Sequence, residues 1–145
     1  MFRIVSLTLD EAVETELDSL ASSGRGFFTV DHAAQTAEVI AWTAVERYNA
    51  YVLDVSIDAK SVLGLCSLIR SWESDSVLIA LSRKESDREH VLDAGADLFL
   101  HRPSETYRLR EVIEGLLDPD RPAAASRQTF APRAPEQRGM GPQRK

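Results

Sequence analysis

Ala50-Tyr51-Val52-Leu53-Asp54-Val55 is a short, β-prone apolar run with one carboxylate near its end. Continuous apolar runs of this length read as strands of a parallel sheet. Both faces of such a sheet are covered, so the usual alternation of apolar and polar residues is lost. A lone aspartate is costly to bury there unless the strand ends and the carboxylate reaches the rim of the sheet. In open α/β sheets, the carboxyl ends of the strands are where ligands and chemistry collect. Asp54 is therefore either the centre of a site or a structural acid satisfied by its neighbours, and the ends of the other strands have to decide.

The same grammar repeats on both sides of this run. Phe2 to Thr8 reads as a first strand. Asp10 then caps a helix whose apolar positions Val13, Leu17 and Leu20 share a face, with Glu11 and Glu14 suited to its positive end. Gly24 and Gly26 break that helix, and Phe27 to Val30 forms the second strand. The spacing predicts a second helix over 33–46 that buries Ala37, Ile40, Ala41 and Ala44. A third helix carries Val62, Leu65, Cys66, Ile69 and Trp72, and Ser76 to Ser82 is the next continuous apolar strand. A fourth helix over 86–94 is stopped by Gly95. Leu98-Phe99-Leu100 makes a fifth strand, followed by His101-Arg102-Pro103. Ser104 caps a last helix with the stripe Leu109, Val112, Ile113 and Leu116. Five βα units in succession predict a parallel five-stranded sheet covered on both faces, a doubly wound α/β sandwich and not an eight-unit barrel.

The totals bound what such a domain can do. At 145 residues and 43% hydrophobic content, the chain has room for one domain with a real core. A single cysteine, Cys66, permits no internal disulfide and suits a reducing cytoplasm, which is the expected location. No apolar run reaches the roughly 18 residues of a membrane span. The formal charge of -6 is uneven: residues 119–145 carry a net +4, which leaves about -10 on the body. A body that acidic makes a poor nucleic-acid surface. The same 119–145 stretch holds five of the six prolines and almost no large apolar residues, so it reads as a disordered tail or linker beyond a domain over 1–118.

Parallel strands place their carboxyl ends along one edge. Asp10 follows the first strand, Asp54 ends the third, Ser82 ends the fourth and Arg102 follows the fifth. With the first strand beside the third, these side chains would surround one cleft at the switch point. Carboxylates that attack or hold a hard cation, a hydroxyl, and a fixed positive charge are suitable parts for phosphoryl chemistry. His32, His90 and His101 sit apart without ligand spacing, and no glycine-rich phosphate loop or nucleophile elbow is present.

In these stretches the chain resembles the receiver domain of bacterial response regulators. The resemblance rests on Tyr51-Val52-Leu53-Asp54-Val55, Leu78-Ile79-Ala80-Leu81-Ser82, Ala94-Gly95-Ala96-Asp97, Phe99 and Arg102-Pro103. It implies a flavodoxin-like strand order of 2-1-3-4-5, Asp54 as the phosphoacceptor, and Ser82 and Phe99 as the groups that pass on the change. It also implies a histidine kinase or another signalling protein as partner, and no enzymatic activity beyond self-phosphorylation at Asp54.

The departures from the family pattern are specific. The adjacent acids that hold magnesium in such domains are here Thr8 and Leu9, with Asp10 one residue along as a displaced candidate ligand. Magnesium, which needs near-octahedral oxygen ligation, is expected to bind weakly. The family lysine is Arg102, and the small residue after the hydroxyl position is Arg83. The loop proline and glycine after the phosphoacceptor are Asp58 and Val62. Either Arg83 or Arg102 could pair with Asp54, since a guanidinium stays charged and can grip a carboxylate. The expectation is thus an atypical or pseudo-receiver that acts through protein contacts, with phosphorylation at Asp54 reduced or lost. The alternative is a conventional acceptor using Mg2+ and a histidine kinase. A face exposing Arg83, Lys84, Arg88, Glu89, Arg108 and Glu111 is suited to a weak, salt-sensitive homodimer.

Overall fold

The computed structural model describes residues 2–23, 27–73 and 75–117. The breaks expected at Gly24 and Gly26, and the tail expected over 119–145, lie outside those residues. Five parallel strands, β1 (Phe2–Leu7), β2 (Phe28–Ala33), β3 (Ala50–Asp54), β4 (Val77–Ser82) and β5 (Leu98–His101), line up in the order β2-β1-β3-β4-β5. The helices are α1 (Glu11–Ala21), α2 (Thr36–Val45), α3 (Ala59–Trp72), α4 (Arg88–Asp93) and α5 (Leu109–Leu116). This is the doubly wound sandwich that the alternation of elements predicts, in the flavodoxin-like strand order that the family resemblance implies.

β3 is buried along its whole length because it sits between β1 and β4 with helices on both faces. Its side chains alternate between two cores. Tyr51 and Leu53 join Val39, Leu65, Cys66, Ile69 and Phe99 on one face, while Ala50 and Val52 join Val13, Leu17, Leu20, Val112 and Ile113 on the other. Fully burying an aliphatic or aromatic side chain of this kind stabilises the fold by about 1.5–3 kcal/mol. Together these two layers fix the strand ends that build the site.

Several elements differ from the sequence expectation, each for a physical reason. β2 runs on through Asp31, His32 and Ala33, paired with Val5, Ser6 and Leu7. Its polar residues find partners there: Tyr48 donates to Asp31 at 2.7 Å, and His32 bridges Ser6 and Asp18. α2 buries Val39 and Thr43, whereas Ile40 and Val45 are 37% and 80% exposed and Ala37, Ala41 and Ala44 face solvent. Apolar residues stand all round that helix, so periodicity alone could not choose its inner face. Trp72 closes the α3 stripe but is half exposed, because it is the last residue of the helix.

Two caps also change. Ser104 does not cap α5; its hydroxyl bonds His101 Nδ1 at 2.7 Å, and a 3-10 turn over Thr106–Arg108 leads into the helix. A similar turn, Glu85–Asp87, precedes α4 and shortens it to six residues. Gly95 ends α4 at φ 118, a conformation that side chains other than glycine rarely adopt, and a Cβ there would meet Arg70 Cβ at 3.2 Å.

Candidate functional site

The carboxyl ends of β1, β3 and β4 meet in a cleft of about 420 Å³ lined by Leu9, Asp10, Asp54, Ser56, Arg83 and Arg102, together with Glu11 and Ile57. Asp54 lies at its floor and is almost completely buried. One of its oxygens, Oδ1, accepts the Ser56 backbone N–H at 3.0 Å, because the chain turns into a 3-10 helix directly after β3 and aims that amide back. The other, Oδ2, accepts the Thr8 hydroxyl at 3.0 Å.

Arg102, reaching in from the end of β5, closes the arrangement. Its Nε lies 2.9 Å from Asp54 Oδ2, and its terminal NH1 donates to Asp10 Oδ2 at 2.5 Å. The Nε–H does not point along the line to Asp54, so that contact is one of charge more than of an aligned hydrogen bond. The guanidinium is buried, which weakens screening by water and strengthens its hold on both acids. Asp10 is at once the cap of α1, since its Oδ1 accepts the Ala12 N–H at 2.9 Å. Thr8 ties the two acids together further by accepting the Asp10 N–H at 3.0 Å.

Of the two arginines proposed from the sequence as partners of Asp54, Arg102 is therefore the one in contact. Arg83 lines the mouth of the cleft, is exposed, and makes no ion pair with Asp54. Its backbone explains why: β4 has ended, and the Arg83 N–H and C=O engage Ser56 Oγ at 3.4 Å and His101 Nε2 at 3.0 Å while the side chain points outward. Leu9 stands 71% exposed at the same mouth, where a carboxylate would face a cation.

The donor set fits a magnesium ion poorly. Asp10 and Asp54 are both already engaged by Arg102, and among the described residues no group of three or more His, Cys, Asp or Glu converges for a metal, even with Glu11 on the cleft wall. A cation of that kind would first have to displace the guanidinium.

Ser82 ends β4 as expected but is turned to the α4 side. Its hydroxyl donates to Asp87 Oδ2 at 2.6 Å and accepts the Lys84 N–H at 3.0 Å. Phe99 is buried in β5 with the Arg88 guanidinium 4.6 Å over its ring, and Arg88 is held in turn by Glu85. That partner pulls the Glu85 carboxyl below its ordinary pKa, chiefly through the hydrogen bond from Arg88.

The sequence reading missed two constellations. Ser56 escaped notice because its contribution is mainly its backbone amide. Ser6, His32 and Asp18 form a chain at 2.7 and 2.8 Å, invisible in sequence because strand pairing and helix packing bring them together. Ser6 is fully buried, so the chain ties β1, β2 and α1 and offers no nucleophile to a substrate.

Comparison with known proteins gives a consistent picture. The family model for the response regulator receiver domain matches residues 10–114. The curated protein Response regulator MprA of Mycobacterium leprae is 33% identical over 127 residues, covering 86% of this chain and 54% of its own length. Its namesake from Mycobacterium ulcerans is 34% identical over 114 residues, covering 77% and 47%. The chain thus spans about half the length of these relatives. Among solved structures, the receiver domain of the TMAO respiratory system response regulator TorR superposes with TM-score 0.69 at 21% identity, covering 81% of this chain and 97% of that one. TrrA from Thermotoga maritima, solved in complex with Mg(2+)-BeF, gives TM-score 0.65 at 21% identity over 79% and 97%.

Proposed function

This chain belongs to the response regulator receiver family, and from that premise we propose that it is an atypical receiver. It signals through contact with other proteins, with a histidine kinase or another signalling protein as partner. Phosphoryl acceptance at Asp54 is restrained by Arg102. One observation carries this reading: a single buried guanidinium engages both Asp54 and Asp10.

Acceptance of a phosphoryl group requires a carboxylate oxygen of Asp54 to attack phosphorus. A P–O bond forms as the donor's bond to phosphorus breaks and the leaving group takes the electron pair. In this site Oδ2 carries both the Thr8 hydroxyl and the Arg102 charge, and Oδ1 carries the Ser56 amide. Each of these contacts stabilises the free carboxylate, so each raises the barrier to its attack unless it is stronger in the transition state. The protein is no enzyme on this reading, at most accepting a phosphoryl group onto itself at Asp54.

A second reading is favoured by the comparisons: a conventional acceptor that takes a phosphoryl group from a histidine kinase with Mg2+. Its relatives are named as response regulators, and one similar fold was solved with Mg(2+)-BeF. Both readings agree on the class of partner. They separate when the unmodified chain is incubated with a small phosphodonor and magnesium and its mass is read. The first expects little adduct and a rise in Arg102→Lys, which restores the ammonium of the family pattern. The second expects a full adduct on the wild-type protein.

A further inference from the structure

The two groups that the family resemblance makes responsive to Asp54, Ser82 and Phe99, are not free to respond in this chain. Ser82 has one hydroxyl proton, and it is given to Asp87 Oδ2 at 2.6 Å, a short bond to a carboxylate. Ser82 Oγ itself accepts the Lys84 N–H, so the hydroxyl is engaged both as donor and as acceptor on the α4 side. Phe99 is covered by the Arg88 guanidinium at 4.6 Å from the ring centre, and Glu85 keeps that guanidinium in place. Asp87 and Arg88 are neighbours: one ends the 3-10 turn Glu85–Asp87, the other starts α4.

We propose that Asp87 and Arg88 form a latch at the start of α4 that holds Ser82 and Phe99 together in one arrangement. The proposal rests on the reading above, in which these two groups transmit the state of Asp54. For Ser82 to donate toward an oxygen at Asp54, its proton must leave Asp87, and the half-buried Asp87 carboxylate loses its donor. A backbone shift that gives Asp87 a new partner carries the adjacent Arg88 with it and uncovers Phe99. The reverse holds for a movement of Phe99. Asp87 and Arg88 are thus positioning residues, and the coupling between Ser82 and Phe99 runs through one peptide bond.

The test uses the full, unphosphorylated chain, so it does not depend on whether Asp54 accepts a phosphoryl group. Amide hydrogen exchange at Lys84 and NMR line broadening at Phe99 are followed in the wild type, Asp87→Asn, Arg88→Gln and the double variant. The latch predicts crossed effects. Asp87→Asn broadens Phe99, and Arg88→Gln speeds exchange at Lys84 by about tenfold, the scale of one lost charge-assisted contact. The double variant adds little to either single one. If each substitution disturbs only its own contact, the two effects are additive and the proposal is overturned, whatever mass spectrometry says about Asp54. Arg88 is partly exposed, so its substitution leaves a folded protein in which the result can be read.

Discussion

Arg102, just past the end of β5, and Asp54, at the end of β3, meet at 2.9 Å across the end of β4, both almost completely buried. The contact is lopsided. Asp54 has two further hydrogen-bond donors, from Thr8 and Ser56, and Arg102 has a second acid, Asp10.

That asymmetry predicts unequal costs of breaking the pair. Arg102→Ala leaves two acids facing each other without a cation and should destabilise the fold by about 3 kcal/mol, within the range for breaking a buried pair. Asp54→Asn leaves Arg102 with Asp10 and keeps an amide that can hydrogen-bond Thr8, so its cost should be about 1 kcal/mol or less. Urea unfolding of the two variants checks the order, and equal losses would mean that the pair carries no special weight.

Magnesium affinity should be poor and recoverable by design. Titration followed by the Trp42 and Trp72 fluorescence or by amide shifts should show no saturation at sub-millimolar magnesium. Replacing Thr8 and Leu9 together by aspartate should bring saturation into that range, because two carboxylates return to the metal side of the cleft. Tight binding by the wild type, lost in Asp10→Ala, would show that Asp10 has taken over as ligand.

The sequence made the layers legible because each core strand is a continuous apolar run and each of α1, α3 and α5 has one apolar face. Asp54, Asp10 and Arg102 could be named as neighbours for the same reason, since parallel strands bring their ends to one edge, whereas Ser82, expected in the same cleft, turns its hydroxyl away to Asp87. It could not say which arginine would touch Asp54. That choice depends on where the Arg83 backbone is tied by Ser56 and His101. Nor could it choose the inner face of α2, which is apolar all round, or find Ser6, His32 and Asp18, which are joined only by the fold.

Alkaline pH should weaken the fold through Cys66. Burial pushes its thiol from 9.0 up to about 11, so the folded state holds that proton more tightly than the unfolded chain. The corresponding stability is fully present below pH 9 and is lost as pH rises toward 11, at most about 3 kcal/mol when complete. Tyr51, raised chiefly by burial, acts in the same direction. Urea midpoints between pH 8 and pH 11 should fall, and Cys66→Ala should flatten the fall while lowering the neutral value through the cavity it leaves.

Self-association, if it uses the face of Arg83, Lys84, Arg88, Glu89, Arg108 and Glu111, should be weak and salt-sensitive. Arg88 and Arg108 already pair within the chain with Glu85 and Glu105, which leaves Arg83, Lys84, Glu89 and Glu111 as its exposed charges. Exposed charges lose most of their attraction beyond a Debye length of about 8 Å at physiological salt. Sedimentation at low salt should show a concentration-dependent dimer that high salt dissolves, and a monomer under every condition would remove this face as a self-contact.

The central claim is that Arg102 restrains phosphoryl acceptance at Asp54, and mass spectrometry tests it most directly. The wild-type chain and Arg102→Lys are incubated side by side with a small phosphodonor and magnesium, with Asp54→Asn as the blank. The account predicts little or no phosphoryl adduct on the wild type, a clear rise in Arg102→Lys, and none in the blank. A full adduct on the wild type at Asp54, unchanged by the lysine, would contradict it and leave an ordinary phospho-accepting receiver.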